Sequence, residues 1–152
     1  MADARTRAER VADTRALLAR PELDAWVASW SADGGGHLVP LSAAWDGTHL
    51  ILATEPAALT TRNLEQVPRA RLGLGHTRDV VMIDAEVEQS TAADDAPAPI
   101  VDAYVTQSGW DPRATGVPFM VHVLTPVRIQ AWREANEIEG RTLMRDGRWL
   151  DG

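Results

Sequence analysis

Cysteine is absent from this 152-residue chain, and so is lysine: all 15 basic residues are arginine. Without cysteine there is no disulfide scaffold, thiol nucleophile, cysteine zinc site or cysteine-held iron–sulfur cluster. Without lysine there is no Schiff base and no lysine phosphate clamp. Tyrosine and phenylalanine occur once each, against six tryptophans, a residue that packs cores and interfaces. Positive charge is in deficit, with 15 basic against 22 acidic residues and a net charge of −7. That balance argues against a general binder of nucleic acid or anionic membrane. No apolar run approaches the roughly 20 residues that span a bilayer. The charged stretch from Met1 to Arg20 lacks the apolar segment of a signal peptide, so a cytoplasmic location is expected.

What remains is the material of one globular domain over residues 1–152, with 45% hydrophobic and 24% charged residues. Ala2 to Arg20 reads as a helix with a sparse stripe of Val11, Leu17 and Leu18, stopped by Pro21. The period then shortens. Trp26–Ala32 and His37–Trp45 read as strands around Gly34-Gly35-Gly36, and Pro40 marks the second as an edge or a bulge. Asp46-Gly47 signals a hairpin into a strand over 48–54. Glu55-Pro56 breaks the pattern, and Ala57–Gln66 reads as a short helix ending near Pro68. Two strands follow, Arg69–His76 and Val80–Gln89. Ser90–Pro99 reads as a loop and Ile100–Gln107 as a helix. Phe119–Leu124 and Val127–Glu134 read as strands divided by Thr125-Pro126, and Asp146-Gly147 centres a closing hairpin. The blocks are an N-terminal helix (1–20), a first barrel half (24–89), a helix (100–110) and closing strands (118–150). Six or more short, tightly connected strands with two or three inserted helices predict a mainly β, split antiparallel barrel of α+β character.

Chemistry is most legible between Leu50 and Leu64, where a strand ends at Thr54 and a helix begins near Thr60. Thr60, Thr61, Arg62 and Asn63 meet at that junction. A helix N-terminus offers free backbone N–H groups and positive partial charge, and Arg62 adds a permanently charged fork, so an anion can be held there. The plainer reading is that Thr60 or Thr61 caps the helix and Arg62 faces solvent.

In this order of elements, Val39-Pro40-Leu41, Trp45-Asp46-Gly47 to Thr54, Thr61-Arg62-Asn63-Leu64 and Pro68-Arg69-Ala70 resemble the pyridoxamine-phosphate-oxidase-like split β-barrels. Those form the flavin/deazaflavin oxidoreductase superfamily. The segments Arg128–Glu134 and Arg141–Leu150 are similar to its smaller actinobacterial members. The resemblance runs from about Asp24 to Trp149. It implies a homodimer with a cofactor at the subunit interface, either coenzyme F-420 (a deazaflavin) or FMN. Thr54, Thr60, Thr61, Arg62 and Asn63 would lie on the phosphate side, and Val39, Pro40, Leu41 and Ser42 along the ring. The implied activity is hydride transfer between that cofactor and a small organic acceptor. The alternative is a non-catalytic flavin or haem carrier of the same fold. Two departures are visible. The lysine that many members carry in the phosphate loop is replaced by Leu59 or Thr60, and no basic residues of the pyridoxamine-phosphate oxidases stand on the strand His37–Trp45. Oxidation of pyridoxamine phosphate is therefore not expected. The acidic tail of a deazaflavin would suit the helix carrying Arg5, Arg7, Arg10, Arg15 and Arg20, which also holds Asp3, Glu9 and Asp13.

No side chain is nominated as a catalytic acid or base, because the cofactor supplies the hydride chemistry in such enzymes. Nor is a metal site expected. His37, His49, His76 and His122 stand in no HxH, HxxxH or HExxH spacing, although His37 and His49 flank a hairpin and some relatives bind haem. There is no Gly-x-Ser-x-Gly elbow and no Walker loop.

Overall fold

The computed structural model describes residues 1–150. The first helix, α1 (Arg7–Leu18), starts later than its charge pattern suggests, because Thr6 forms a capping box. The Thr6 hydroxyl accepts from the Glu9 amide at 3.2 Å, and the Glu9 carboxylate accepts from the Thr6 amide at 2.7 Å. Among the described residues nine strands follow: β1 (Asp24–Trp30), β2 (Gly36–Ser42), β3 (Ala44–Trp45), β4 (Leu50–Thr54), β5 (Arg69–His76), β6 (Asp79–Ala92), β7 (Met120–Trp132), β8 (Thr142–Arg145) and β9 (Arg148–Trp149). Two more helices interrupt them, α2 (Leu59–Gln66) and α3 (Ala98–Ser108), with a short 3-10 turn at Ala135–Glu137.

All pairings are antiparallel, and the main ladder runs β2-β1-β5-β6-β7-β4-β3, with β8 and β9 attached beside β7. The two ends of that ladder, β2 and β3, are separated in sequence by Ala43 alone. A strand cannot leave one edge and start the opposite edge one residue later unless the sheet curls until its edges meet. Ala43 is fully buried at that seam. The expected split barrel is therefore the observed architecture.

Alternation fills the barrel: Ala25 and Val27 from β1, Ala70, Leu72 and Leu74 from β5, and Val81, Ile83 and Ala85 from β6 all point into one core. The run Leu50-Ile51-Leu52-Ala53 does not alternate because β4 is covered on both faces. Leu50 and Leu52 enter the barrel core, whereas Ile51 and Ala53 pack beneath α3 with Val101, Tyr104 and Val121.

Two sequence expectations are corrected. The stretch 90–92 is not loop: β6 continues through Ala92, paired with Met120, because it lies against the equally long β7. Thr125-Pro126 does not divide β7 either. Proline has no N–H to give the ladder, and the chain absorbs it with a bulge. The register steps from Asp84↔Arg128 to Ala85↔Pro126, and the skipped Val127 turns its carbonyl to the Gly147 amide at 3.0 Å. Pro40 stands on the edge strand β2, as its chemistry requires.

Candidate functional site

β2, β4 and the start of α2 enclose a groove of about 500 Å³. Val39, Pro40 and Leu41 form one wall, Ala53, Thr54 and Glu55 the floor, and Ala58, Leu59 and Thr60 the far rim, with His37 and Phe119 at its ends. Five of the nine cofactor-side residues expected from the sequence (Val39, Pro40, Leu41, Thr54 and Thr60) are thus brought to one surface. Ser42, Thr61, Arg62 and Asn63 do not line it. Ser42 is half-buried at the end of β2, and Arg62 is exposed on the first turn of α2.

α2 begins without a side-chain cap. Its N-cap is Ala58, which has no oxygen to offer, so the amides of the first turn are not capped by a side chain. Neither threonine serves as the cap. Thr61 is buried, and its hydroxyl reaches back to the Glu55 carbonyl at 2.6 Å. Asn63 is buried too, donating to Ser29 Oγ at 3.1 Å. Both therefore brace the junction from inside the protein. Arg62 has no carboxylate within ion-pairing reach among the described residues, so its guanidinium stands free beside the uncapped turn.

Behind the groove floor lies a polar chain that the sequence reading did not anticipate. His122, fully buried on β7, has Thr54 Oγ1 at 2.7 Å from Nε2 and Ser90 Oγ at 2.7 Å from Nδ1, and Thr54 Oγ1 stands 2.5 Å from Thr61 Oγ1. Each hydroxyl has one proton to donate, which fixes every direction. Thr61 donates to the Glu55 carbonyl, so Thr54 must donate to Thr61. Thr54 then can only accept from His122, which makes His122 the Nε2–H tautomer with a bare Nδ1. Ser90 donates to that nitrogen. The result is a single directed relay from Ser90 on β6 to the Glu55 carbonyl at the groove. Burial pushes the His122 imidazole down to about 4, so it is neutral at physiological pH. The only sequence signal was a histidine inside an otherwise apolar strand, opposite Ser90.

The other histidines do not converge. His37 pairs with Ser29 across β1–β2 rather than with His49. His49 is held by Asp46 and Glu88, each at 3.0 Å. No group of histidine and acidic side chains suited to a metal ion occurs among the described residues. Trp110 stacks edge-on between Tyr104 and Phe119, 5.4 and 5.2 Å away, and so supports the aromatic end of the groove from behind.

A curled antiparallel sheet that seals on itself, with a groove at a strand–helix junction, defines a split β-barrel. The pattern of the pyridoxamine 5'-phosphate oxidase family matches residues 12–133. The chain belongs to that family. Its fold is shared with an F420 reductase (TM-score 0.61, 19% identity, 76% of this chain and 94% of that one). It is also shared with a pyridoxamine 5'-phosphate oxidase-related, FMN-binding protein from Nostoc punctiforme (0.55, 17%, 82% and 80%), and with a heme storage protein from Vibrio cholerae (0.61, 14%, 79% and 92%). At these identities the likeness is one of fold. No curated protein sequence matches the chain.

Proposed function

We propose that this protein is a flavin- or deazaflavin-dependent oxidoreductase, passing a hydride between FMN or coenzyme F-420 and a small organic acceptor. The carrying observation is the uncapped first turn of α2, with the free Arg62 guanidinium beside it, at the rim of an apolar groove. That combination matches a planar ring with an anionic end. Val39, Pro40, Leu41, Leu59 and Phe119 supply apolar surface for the ring, and the α2 amides with Arg62 favour a phosphate. When bound, the cofactor supplies the redox chemistry. The chain's own part is to orient the ring, keep water away from one face, and hold Thr54 in place through His122. Pyridoxamine phosphate is not the proposed substrate, since no arginine or lysine stands on β2.

Part of the groove is open to solvent, and a second copy is proposed to close it. Trp26 and Leu38 on the outer face of β1 and β2 are 55% and 61% exposed, an apolar patch that monomers usually cover. Titration with FMN and with F-420 tests the site: Arg62→Ala is expected to weaken binding by about tenfold or more, the loss of a charge-assisted hydrogen bond. Unchanged affinity removes the phosphate from this junction.

A carrier is the second reading, and one observation favours it for haem: His37 lines the groove. Haem addition would then give a Soret band that shifts in His37→Ala. Stopped-flow turnover of reduced cofactor with quinone or enone acceptors would exclude the carrier.

A further inference from the structure

Most arginines of this chain that approach an acid make a close pair with it: Arg5 with Asp13 and Glu137, Arg71 with Asp84, Arg113 with Asp102 and Asp111, Arg133 with Asp79. One concavity breaks this rule. A cleft of about 570 Å³ between the start of α1, β7 and β8 is lined by Arg7, Arg128, Arg141 and Arg145, together with Gln130 and Thr142, and by no aspartate or glutamate among the described residues. Among the described residues Arg7, Arg141 and Arg145 have no ion pair, and Arg128 meets Asp84 only at 4.0 Å, while Arg71 holds the same carboxylate at 2.6 Å. In a protein of net charge −7, four guanidiniums line a space that no carboxylate of the described residues lines.

An independent observation lies directly behind the cleft. Arg10 is 6% exposed and has no carboxylate partner among the described residues. It donates to three carbonyls, Ala131 at 3.4 Å, Glu137 at 3.0 Å and Glu139 at 3.5 Å, and its Nε is buried without any partner. Gly140, which lines the cleft, separates it from the open space; a Cβ at Gly140 would stand 3.4 Å from Arg10 Nη2. A buried charge satisfied only by neutral dipoles remains electrostatically uncompensated. Its field therefore adds to that of the four arginines. The wall is also rigid. Arg10 pins the turn carrying Gly140 and Arg141, and the Arg141 guanidinium rests 5.3 Å from the Trp132 ring centroid.

We infer that this cleft is a binding site for a small, multiply charged oxyanion, of phosphoryl or polycarboxylate chemistry, separate from the groove. Guanidinium forks match such oxygens in pairs. Three unneutralised arginines select against ligands of single charge, and the size of the cleft admits a metabolite rather than a lone ion. The separation is fixed by β7. Met120 is opposite Thr54 in the groove, whereas Arg128 and Gln130 line the cleft eight to ten residues further on, about 26–33 Å along the strand.

Calorimetric titration of the full-length protein with pyrophosphate and with citrate at low salt tests this. The part of the tryptophan fluorescence change that is lost in Trp132→Phe provides a local reporter among the six tryptophans. Binding of either probe is expected, weakening with added salt; the tighter one assigns phosphoryl or polycarboxylate chemistry. Arg141→Ala/Arg145→Ala should weaken it about tenfold or more. Neither guanidinium makes a hydrogen bond or ion pair among the described residues, and the milder Arg145→Gln should also weaken binding. No binding by the wild-type protein, or binding lost in Arg62→Ala but kept in the double variant, would overturn the site.

Discussion

At the scale of single residues, two buried titratable groups give this protein a two-stage acid response. His122 is held down to about 4 by burial, against an ordinary value of 6.5. Between those values the unfolded chain takes up a proton that the native protein refuses, so stability falls as pH drops from about 6.5 towards 4. The total is about 3 kcal/mol for one such group. Above pH 6.5 both states are neutral and the contribution is flat. Glu137 acts in a lower window. The side-chain bonds from Arg5, at 2.8 and 3.0 Å, outweigh burial and hold its carboxyl at about 2. That stability is present above pH 4.5 and lost as pH falls through 2. Urea midpoints measured at pH 7 and pH 5 should therefore differ in the wild-type protein. In His122→Gln they should differ less, since a neutral amide carries the same polar shape without titrating. An equal slope in both proteins would show that His122 is not the group responsible. Ser90→Ala removes the donor to Nδ1 and should cost about 1–3 kcal/mol at pH 7, the penalty of a buried unmet acceptor, read as a lowered urea midpoint.

Among the elements, α2 concentrates the link between fold and proposed chemistry. A helix of eight residues that starts on alanine forgoes the roughly 1 kcal/mol that Ser, Thr, Asp or Asn would contribute as N-cap. Ala58→Asp should supply it, raising the melting temperature while weakening FMN or F-420 binding, because the new carboxylate occupies the amides and repels the phosphate. A variant both more stable and equally tight in binding would place the anion elsewhere. This opposition was only half legible in the sequence. The junction, its free arginine and its position after a buried strand could be read from residues 50–64, because period, Pro56 and Pro68 punctuate the chain. The inward turn of Thr61 and Asn63 could not, since it depends on Glu55 and on Ser29, residues 6 and 34 positions away. The same reason hid the length of β6 and β7. Pro126 and the small residues at 90–92 argue locally for interruption, and only the long partner strand and the bulge at Val127 override them. His122 was illegible in role because a histidine between valines reads alike whether its partners are water or two hydroxyls.

For the molecule as a whole, the outer face of the barrel carries the strongest argument for assembly. The cross-strand row Pro40, Trp26, Gly73 and Met82 runs over four neighbouring strands. Gly73 leaves a hollow of about 410 Å³ between the Trp26 indole and Met82, bordered by Leu38 and Val80. Pro40 belongs both to this row and to the groove wall, so a body covering the row extends towards the open side of the groove. That continuity ties the proposed second copy to the proposed cofactor. The expected mass in solution is twice 16.6 kDa, about 33 kDa by light scattering. Trp26→Asp places a charge in the middle of the apolar face, 55% exposed in the single chain, and should leave the fold intact. It should shift the protein to 16.6 kDa and weaken FMN or F-420 binding at the same time, since one event opens both the interface and the groove. Loss of the dimer with cofactor affinity retained would mean that a single chain completes the site. A wild-type protein that runs as a monomer, yet binds cofactor in an Arg62-dependent way, would leave the groove assignment standing and remove the partner from it.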